Sequence, residues 1–176
     1  MTDTKQPEVN TTTPPPKKGG GPEVNYINPF IEAAQNAFQT MANEVAVRKS
    51  LSLKGEDNQS SGVSGIIGLA GETMGSVVLS LNEETAIKVI SKIMGTTYAG
   101  VTADVIDGIG ELTNIIAGDA KNRLIQKGYK FDISIPRVVS GRQYFTTQTR
   151  NVPCIVIEFT IPSGSFKLEV SLTKGH

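Results

Sequence analysis

A carboxylate and a carboxamide lie one turn apart on a long helix predicted over residues 102–127. Helical residues follow one another at about 100° around the axis, so Glu111 and Asn114 lie side by side as an i, i+3 pair. A carboxylate accepts hydrogen bonds, whereas a carboxamide both accepts and donates them. This pair is the first candidate for chemistry in the sequence.

The composition excludes several other kinds of chemistry. The chain of 176 residues has one cysteine, Cys154, and one histidine, the final residue His176. These counts exclude a Cys/His zinc site and an intramolecular disulfide, and they nearly exclude a Ser-His-Asp triad. The 17 basic and 17 acidic residues balance, which argues against a nucleic-acid-binding protein and a polybasic membrane anchor. The remaining chemistry must use carboxylates, amides or hydroxyls.

The rest of the same helix face is unusual for a solvated surface. Asp107, Gly118, Lys121 and Asn122 share this face with Glu111 and Asn114, and we call these six residues the polar stripe. Glycines at 110 and 118 each cost roughly 1 kcal/mol relative to alanine inside a helix. That cost indicates close approach of another group, either within the fold or from a docked partner. A solvated face with glycines tolerated for internal packing remains the alternative.

The surrounding pattern predicts an α+β domain. Residues 26–174 form the predicted domain, in which helices flank a mostly antiparallel sheet. The layout repeats, because each half has a long helix followed by a β-hairpin. The predicted helices cover 29–46 (with Asn28 as N-cap), 83–94 and 102–127, and the predicted strands cover 47–53, 63–70, 74–81, 129–135, 136–139, 152–161 and 166–173, with a polar loop at 141–151.

The first 25 residues differ from the rest in composition. They contain five of the nine prolines and few large apolar residues, so we predict a disordered tail over residues 1–25. The sequence shows no apolar signal segment and no run of about 18 apolar residues that would span a membrane. A single cysteine is typical of a reducing compartment, so we expect a cytoplasmic location.

Residues 107–121, which read DGIGELTNIIAGDAK, resemble the signature helix of the CheC/CheX/FliY chemotaxis phosphatase family. That signature is Asp or Ser, three residues, Glu, two residues and Asn, followed by small residues, and Pro136 also fits. The resemblance extends over about residues 26–174. The first helix carries Glu32 and Gln35 but no second Asn at the matching spacing. A single motif is most similar to the CheX branch.

The resemblance implies a CheC-like fold, a pseudo-repeat of helix plus hairpin, and a phosphatase that hydrolyses the aspartyl phosphate of the response regulator CheY. It implies that Asn114 orients the attacking water and that Glu111 docks the active-site lysine of the receiver domain. Partner contacts are expected at Asp107, Gly110, Gly118 and Lys121. It also implies no metal of the chain's own, a Mg²⁺ ion in the receiver, and a homodimer formed by pairing of β-strands.

Two other functions remain open. The chain could be a non-catalytic module of the same fold that binds a response regulator or the flagellar switch. It could also serve a receiver domain outside chemotaxis. The intact Glu111 and Asn114 pair favours the enzyme.

Overall fold

The computed structural model describes residues 24–56, 59–144 and 152–174. A short 3-10 helix, Val24–Tyr26, precedes the first α-helix. The elements that follow are α1 (Ile27–Ala42), β1 (Val47–Leu53), β2 (Ser60–Gly71), β3 (Thr73–Leu81), α2 (Glu83–Met94), α3 (Ala103–Ile125), β4 (Phe131–Ile133), β5 (Arg137–Tyr144), β6 (Cys154–Ile161) and β7 (Gly164–Lys174). The predicted α+β class is confirmed.

One seven-stranded antiparallel sheet organises the chain. Its strand order is β1-β6-β7-β3-β2, and β4 and β5 both pair with the outer side of β2. Helices α2 and α3 pack on the sheet, and α1 packs against α3. Stacked rings join α1 to the sheet, because Phe38 lies 4.0 Å from Phe166 of β7 between ring centroids. The core is therefore a single layer between the helices and one face of the sheet.

The strand order contains an internal symmetry that matches the predicted repeat. The hairpins β2–β3 and β6–β7 meet at the centre of the sheet, where β3 pairs with β7. The strand that precedes each hairpin pairs with the other hairpin, so β1 lies beside β6 and β5 lies beside β2. The two long helices α1 and α3 occupy equivalent positions before these strands. Each half of the chain thus completes the sheet of the other half.

Most predicted elements are confirmed, although β4 covers Phe131–Ile133 rather than 129–135 and β2 begins at Ser60 rather than 63. Three further differences are corrections. Asn28 is not the N-cap of α1, because the helix begins at Ile27 after the 3-10 turn. The same helix ends at Ala42 rather than 46, since Asn43 adopts a left-handed conformation and closes it. Strand β5 extends to Tyr144, into the segment predicted as a loop, because the backbone pairs with β2 there.

The predicted tail over residues 1–25 lies mostly outside the described residues, which begin at Val24. The same holds for positions 145–151 of the predicted polar loop and for His176. The 3-10 turn begins two residues before the predicted domain start at residue 26. In the described part of the chain, no helix combines the length and apolar character needed to cross a membrane.

Candidate active site

Helix α3 carries the predicted site and is fixed firmly to the sheet. The Thr102 side chain caps its first turn by accepting a hydrogen bond from the Val105 amide. Thr113 is fully buried, and its hydroxyl donates to the Ile109 carbonyl at 2.6 Å. At this point the helix lies against Gly65 of β2, where any side chain would collide with Thr113. The glycine thus lets the helix backbone approach the sheet closely.

Glu111 and Asn114 lie on the outer side of this fixed helix. Glu111 is exposed and Asn114 is half-buried. No hydrogen bond or ion pair to another side chain or to the backbone occupies either group among the residues that the structure describes. Their i, i+3 spacing places both on one face within one turn. The pair therefore presents an open acceptor and an open amide to a partner.

The other predicted contact residues differ in accessibility. Asp107 is exposed, and Gly118 is half-buried with no neighbouring atom within 4 Å of an added β-carbon. Lys121 is half-buried, and its ammonium donates to Asp132 of β4 at 3.0 Å. These three residues extend the polar stripe along the helix. Gly118 is the position where another backbone could approach α3 most closely.

Gly110 requires a correction to the sequence-based description of the helix face. It is buried, and an added β-carbon would lie 3.1 Å from Cγ2 of Val138 and 3.9 Å from the ring of Pro136. The helix axis geometry places Gly110 at the border of the stripe, where β5 covers it. Packing within the fold therefore accounts for this glycine, in contrast to Gly118.

Three structural contributors to the site were missed at the sequence level. Thr113 locks the helix onto β2, Asp132 holds Lys121, and Val138 covers Gly110. Each acts through a contact between α3 and a strand of the sheet. The pairing of β5 with β2 brings Val138 under α3, and local periodicity contains no signal for such pairing. The full motif spacing from Asp107 to Lys121 was sufficient to find the stripe itself.

The equivalent helix α1 has no comparable open pair. Its Glu32 accepts a hydrogen bond from Arg123 at 2.6 Å, and its Gln35 donates to the Ala46 carbonyl at 3.1 Å. Hydrogen bonding to Asp119, followed by interaction with Glu32, raises the pKa of the Arg123 guanidinium above its usual value. Both α1 groups are thus used to join α1 to α3 and to the loop before β1. This arrangement agrees with a single motif per chain.

Glu111 and Asn114 lie on an open surface. In the described part of the chain, neither residue lines the cavities of about 330, 370 and 440 Å³, and Lys121 borders the 370 Å³ cavity. The described residues contain no group of three His, Cys, Asp or Glu side chains that could hold a metal ion. Small-molecule sites are usually concave. An exposed pair on a rigid helix is better suited to a macromolecular partner, which would supply the other half of the site.

Comparisons with known proteins show that this topology is the fold of CheC-like proteins. A CheC-like superfamily protein from Shewanella sp. PV-4 superimposes with a TM-score of 0.80 at 33% identity, over 85% of this chain and 98% of the other. The family model described as chemotaxis phosphatase CheX matches residues 63–160. The chain belongs to the CheX chemotaxis phosphatase family.

Two further relatives carry functional names. The CheY-P phosphatase CheX of Thermotoga maritima is 41% identical over 78 residues, which are 44% of this chain and 50% of that protein. The match thus spans about half the length of this curated relative. A chain from the CheX–CheY–BeF₃–Mg²⁺ complex of Borrelia burgdorferi gives a TM-score of 0.71 at 27% identity, over 85% of this chain and 98% of the other.

Proposed function

We propose that this protein hydrolyses the aspartyl phosphate of a CheY-type receiver domain and thereby terminates a chemotaxis signal. One observation carries the proposal: Glu111 and Asn114 are open and adjacent on a helix that the sheet holds rigidly. Membership of the CheX family, and the relatives named as a CheY-P phosphatase and a CheX–CheY complex, support the assignment of the substrate. A receiver substrate also agrees with the expected cytoplasmic location.

Asn114 is the group that would act on the water. Phosphoryl transfer has a loose transition state, so catalysis consists mainly of positioning and charge stabilisation. The Asn114 amide oxygen accepts a hydrogen bond from the attacking water, and its NH₂ donates to a phosphoryl oxygen. A neutral amide avoids the repulsion that a second carboxylate would suffer beside a phosphate dianion. Holding water in line for attack can supply several kcal/mol.

Glu111 is the group that would bind the partner. Its exposed carboxylate pairs with the active-site lysine of the receiver and orients α3 over the phosphate. The receiver supplies Mg²⁺ as part of the substrate, and this chain contributes no metal of its own. Asp107, Gly118 and Lys121 complete the contact, with Lys121 held in place by Asp132.

We further propose that the protein is a homodimer joined through strand β1. Among the described strands, β1 forms an outer edge and pairs with β6 alone. It carries exposed apolar side chains, with Val47 58% and Leu53 64% exposed. An exposed apolar edge strand readily pairs with a second copy. Leu53→Asp should convert a dimer to a monomer in light scattering, whereas Met94→Asp, at another exposed apolar site, should not.

The decisive test is phosphate release from a phosphorylated CheY-type receiver with Mg²⁺. We expect Asn114→Ala to lower the rate at saturation on the order of 100-fold, or about 2.7 kcal/mol, while binding persists. Glu111→Ala should mainly weaken binding. Asn36→Ala, which changes an exposed asparagine of α1, is the matched control. Binding by the wild type without acceleration would support a non-catalytic module instead, and failure with every chemotaxis receiver would direct the search to receivers outside chemotaxis.

A further inference from the structure

The segment Ser134–Pro136, between β4 and β5, runs along one side of the polar stripe. Two residues before it, Asp132 of β4 accepts a hydrogen bond from Lys121 near the end of α3. At its end, Pro136 packs beside Gly110, which lies one turn before Asn114. The chain between these two contacts therefore passes beside the part of α3 that carries the site.

This segment is fixed by hydrogen bonds to β2. The Ser134 amide donates to the Gly68 carbonyl at 2.9 Å, and the Ser134 hydroxyl accepts from the Gly68 amide at the same distance. The same hydroxyl also donates to the carbonyl of Ile135 at 3.1 Å. Three hydrogen bonds around Ser134 thus fix the backbone of this segment in the free protein. A group presented by such a segment loses little conformational freedom on binding.

Ile135 is the side chain that this fixed segment presents. It is 86% exposed, the highest value among the large apolar side chains that the structure describes. Its neighbours Ile133 and Val138 are partly buried and pack against the core. The apolar residues on both sides of Ile135 therefore pack in the protein, whereas Ile135 itself extends into solvent.

We propose that Ile135 is a docking residue that packs against an apolar patch of the receiver domain next to its phosphorylated aspartate. This inference rests on the proposed function, because the receiver is the occupant to which we assign the surface. The two surfaces are continuous, because Pro136 lies beside Gly110 on α3, so a partner whose active site covers Glu111 and Asn114 extends towards this segment. Apolar contacts around a polar centre exclude water and strengthen the charged contacts inside. Ile135 therefore sets affinity for the receiver rather than the chemical step.

The test compares Ile135→Ser with Val139→Ser in the full chain. Val139 is also a β-branched residue, is 38% exposed, and lies four residues further on, directly opposite Ser64 of β2. The neighbouring Val138 contacts α3, so strand alternation directs Val139 to the other face of the sheet. Binding is measured with a receiver loaded with beryllofluoride and Mg²⁺, and turnover with the phosphorylated receiver. Thermal melts establish that each variant is folded.

We expect Ile135→Ser to weaken binding by about tenfold, with turnover at saturating receiver unchanged, and Val139→Ser to match the wild type. If the wild type is active and Ile135→Ser binds the receiver with wild-type affinity, this proposal is wrong and the proposed function stands. An inactive wild type that binds no receiver would overturn both. If Ile135→Ser instead dissociates a dimer and leaves receiver affinity unchanged, the surface belongs to a second copy of the chain and the proposal is wrong.

Discussion

Gly65 of β2 and Thr113 of α3 are packed so closely that a β-carbon added to the glycine would lie 2.8 Å from Cβ of Thr113. Ordinary contacts between carbon atoms are about 3.5–4.0 Å, so no side chain fits there. Thr113 directly precedes Asn114. The close approach therefore fixes the height of the Asn114 amide above the sheet and makes a core contact part of the proposed site.

Gly65→Ala should both destabilise the protein and reduce its activity. The added methyl group forces α3 away from β2, which costs about 1–3 kcal/mol in the free energy of unfolding. Urea denaturation gives the stability change, and phosphate release from a phosphorylated receiver gives the activity. Gly100→Ala is the control, because its β-carbon would have open space. If Gly65→Ala is as stable as the wild type, α3 can shift away from β2 without a loss of stability.

Gly118→Ala should raise the stability of the protein and weaken its binding to the receiver. A β-carbon at this position meets no atom within 4 Å, so alanine should stabilise the helix by up to about 1 kcal/mol. The same methyl group protrudes into the surface that we assign to the receiver and should weaken its binding. Denaturant melts and receiver titrations on one preparation measure both effects. Unchanged affinity would mean that the receiver does not approach the helix at this point.

Lys54 and Glu169 form a buried ion pair whose loss should be costly. Their side chains are 5% and 2% exposed, and Nζ lies 2.8 Å from Oε2. Lys54→Met removes the closest positive charge from a buried carboxylate and should cost about 3 kcal/mol. Adding Glu169→Leu should restore most of that stability, because a buried pair is often replaceable by apolar residues. Equal or greater loss in the double variant than in Lys54→Met would contradict this interpretation.

Alkaline pH should destabilise the protein in part through Tyr144. Burial raises the pKa of its phenol above the ordinary value, although the hydrogen bond with Ser64 at 2.6 Å opposes that shift. The folded state then holds the proton more tightly than the unfolded state, so this contribution to stability is present below about pH 10 and is lost as the pH rises further.

Tyr144→Phe tests this linkage. Because the variant lacks the hydrogen bond to Ser64, its free energy of unfolding at neutral pH should be about 1 kcal/mol lower than that of the wild type. Its stability should nevertheless decline less steeply above about pH 10. Urea midpoints measured at neutral and alkaline pH for both proteins isolate the Tyr144 contribution, since the other titrating groups are common to them. Parallel curves would show that Tyr144 does not contribute to alkaline unfolding.

Local sequence signals were sufficient for much of the fold. Asn82 and Gly95 delimit α2 as predicted, because the cap hydrogen bond to Thr85 and the left-handed glycine are both local effects. The end of α1 was misplaced because the apolar spacing continues to Val45. Asn43 stops the helix first, and Val45 is exposed rather than buried.

The site was also predictable only in part, because only some of its features are local in the sequence. The spacing of Glu111 and Asn114 is visible in the sequence, because both lie on one helix. Gly110 and Gly118 look alike in the sequence, yet Val138 covers the first and nothing within 4 Å covers the second. That difference arises from pairing of β5 with β2, a long-range contact that helix periodicity does not encode.

The exchange of outer strands between the two halves of the sheet bears on how the chain folds. Ser50 of β1 bonds to Glu158 of β6 across 108 positions of sequence, at a distance of 2.8 Å. Such separations give a high contact order, and chains of high contact order fold slowly because loop closure precedes the stabilising contacts. Neither half contains the strand that borders its own hairpin, so a fragment of either half would expose an uncovered edge. The protein should therefore fold in one cooperative step, and the polar stripe should not be positioned on the sheet until both halves are synthesised.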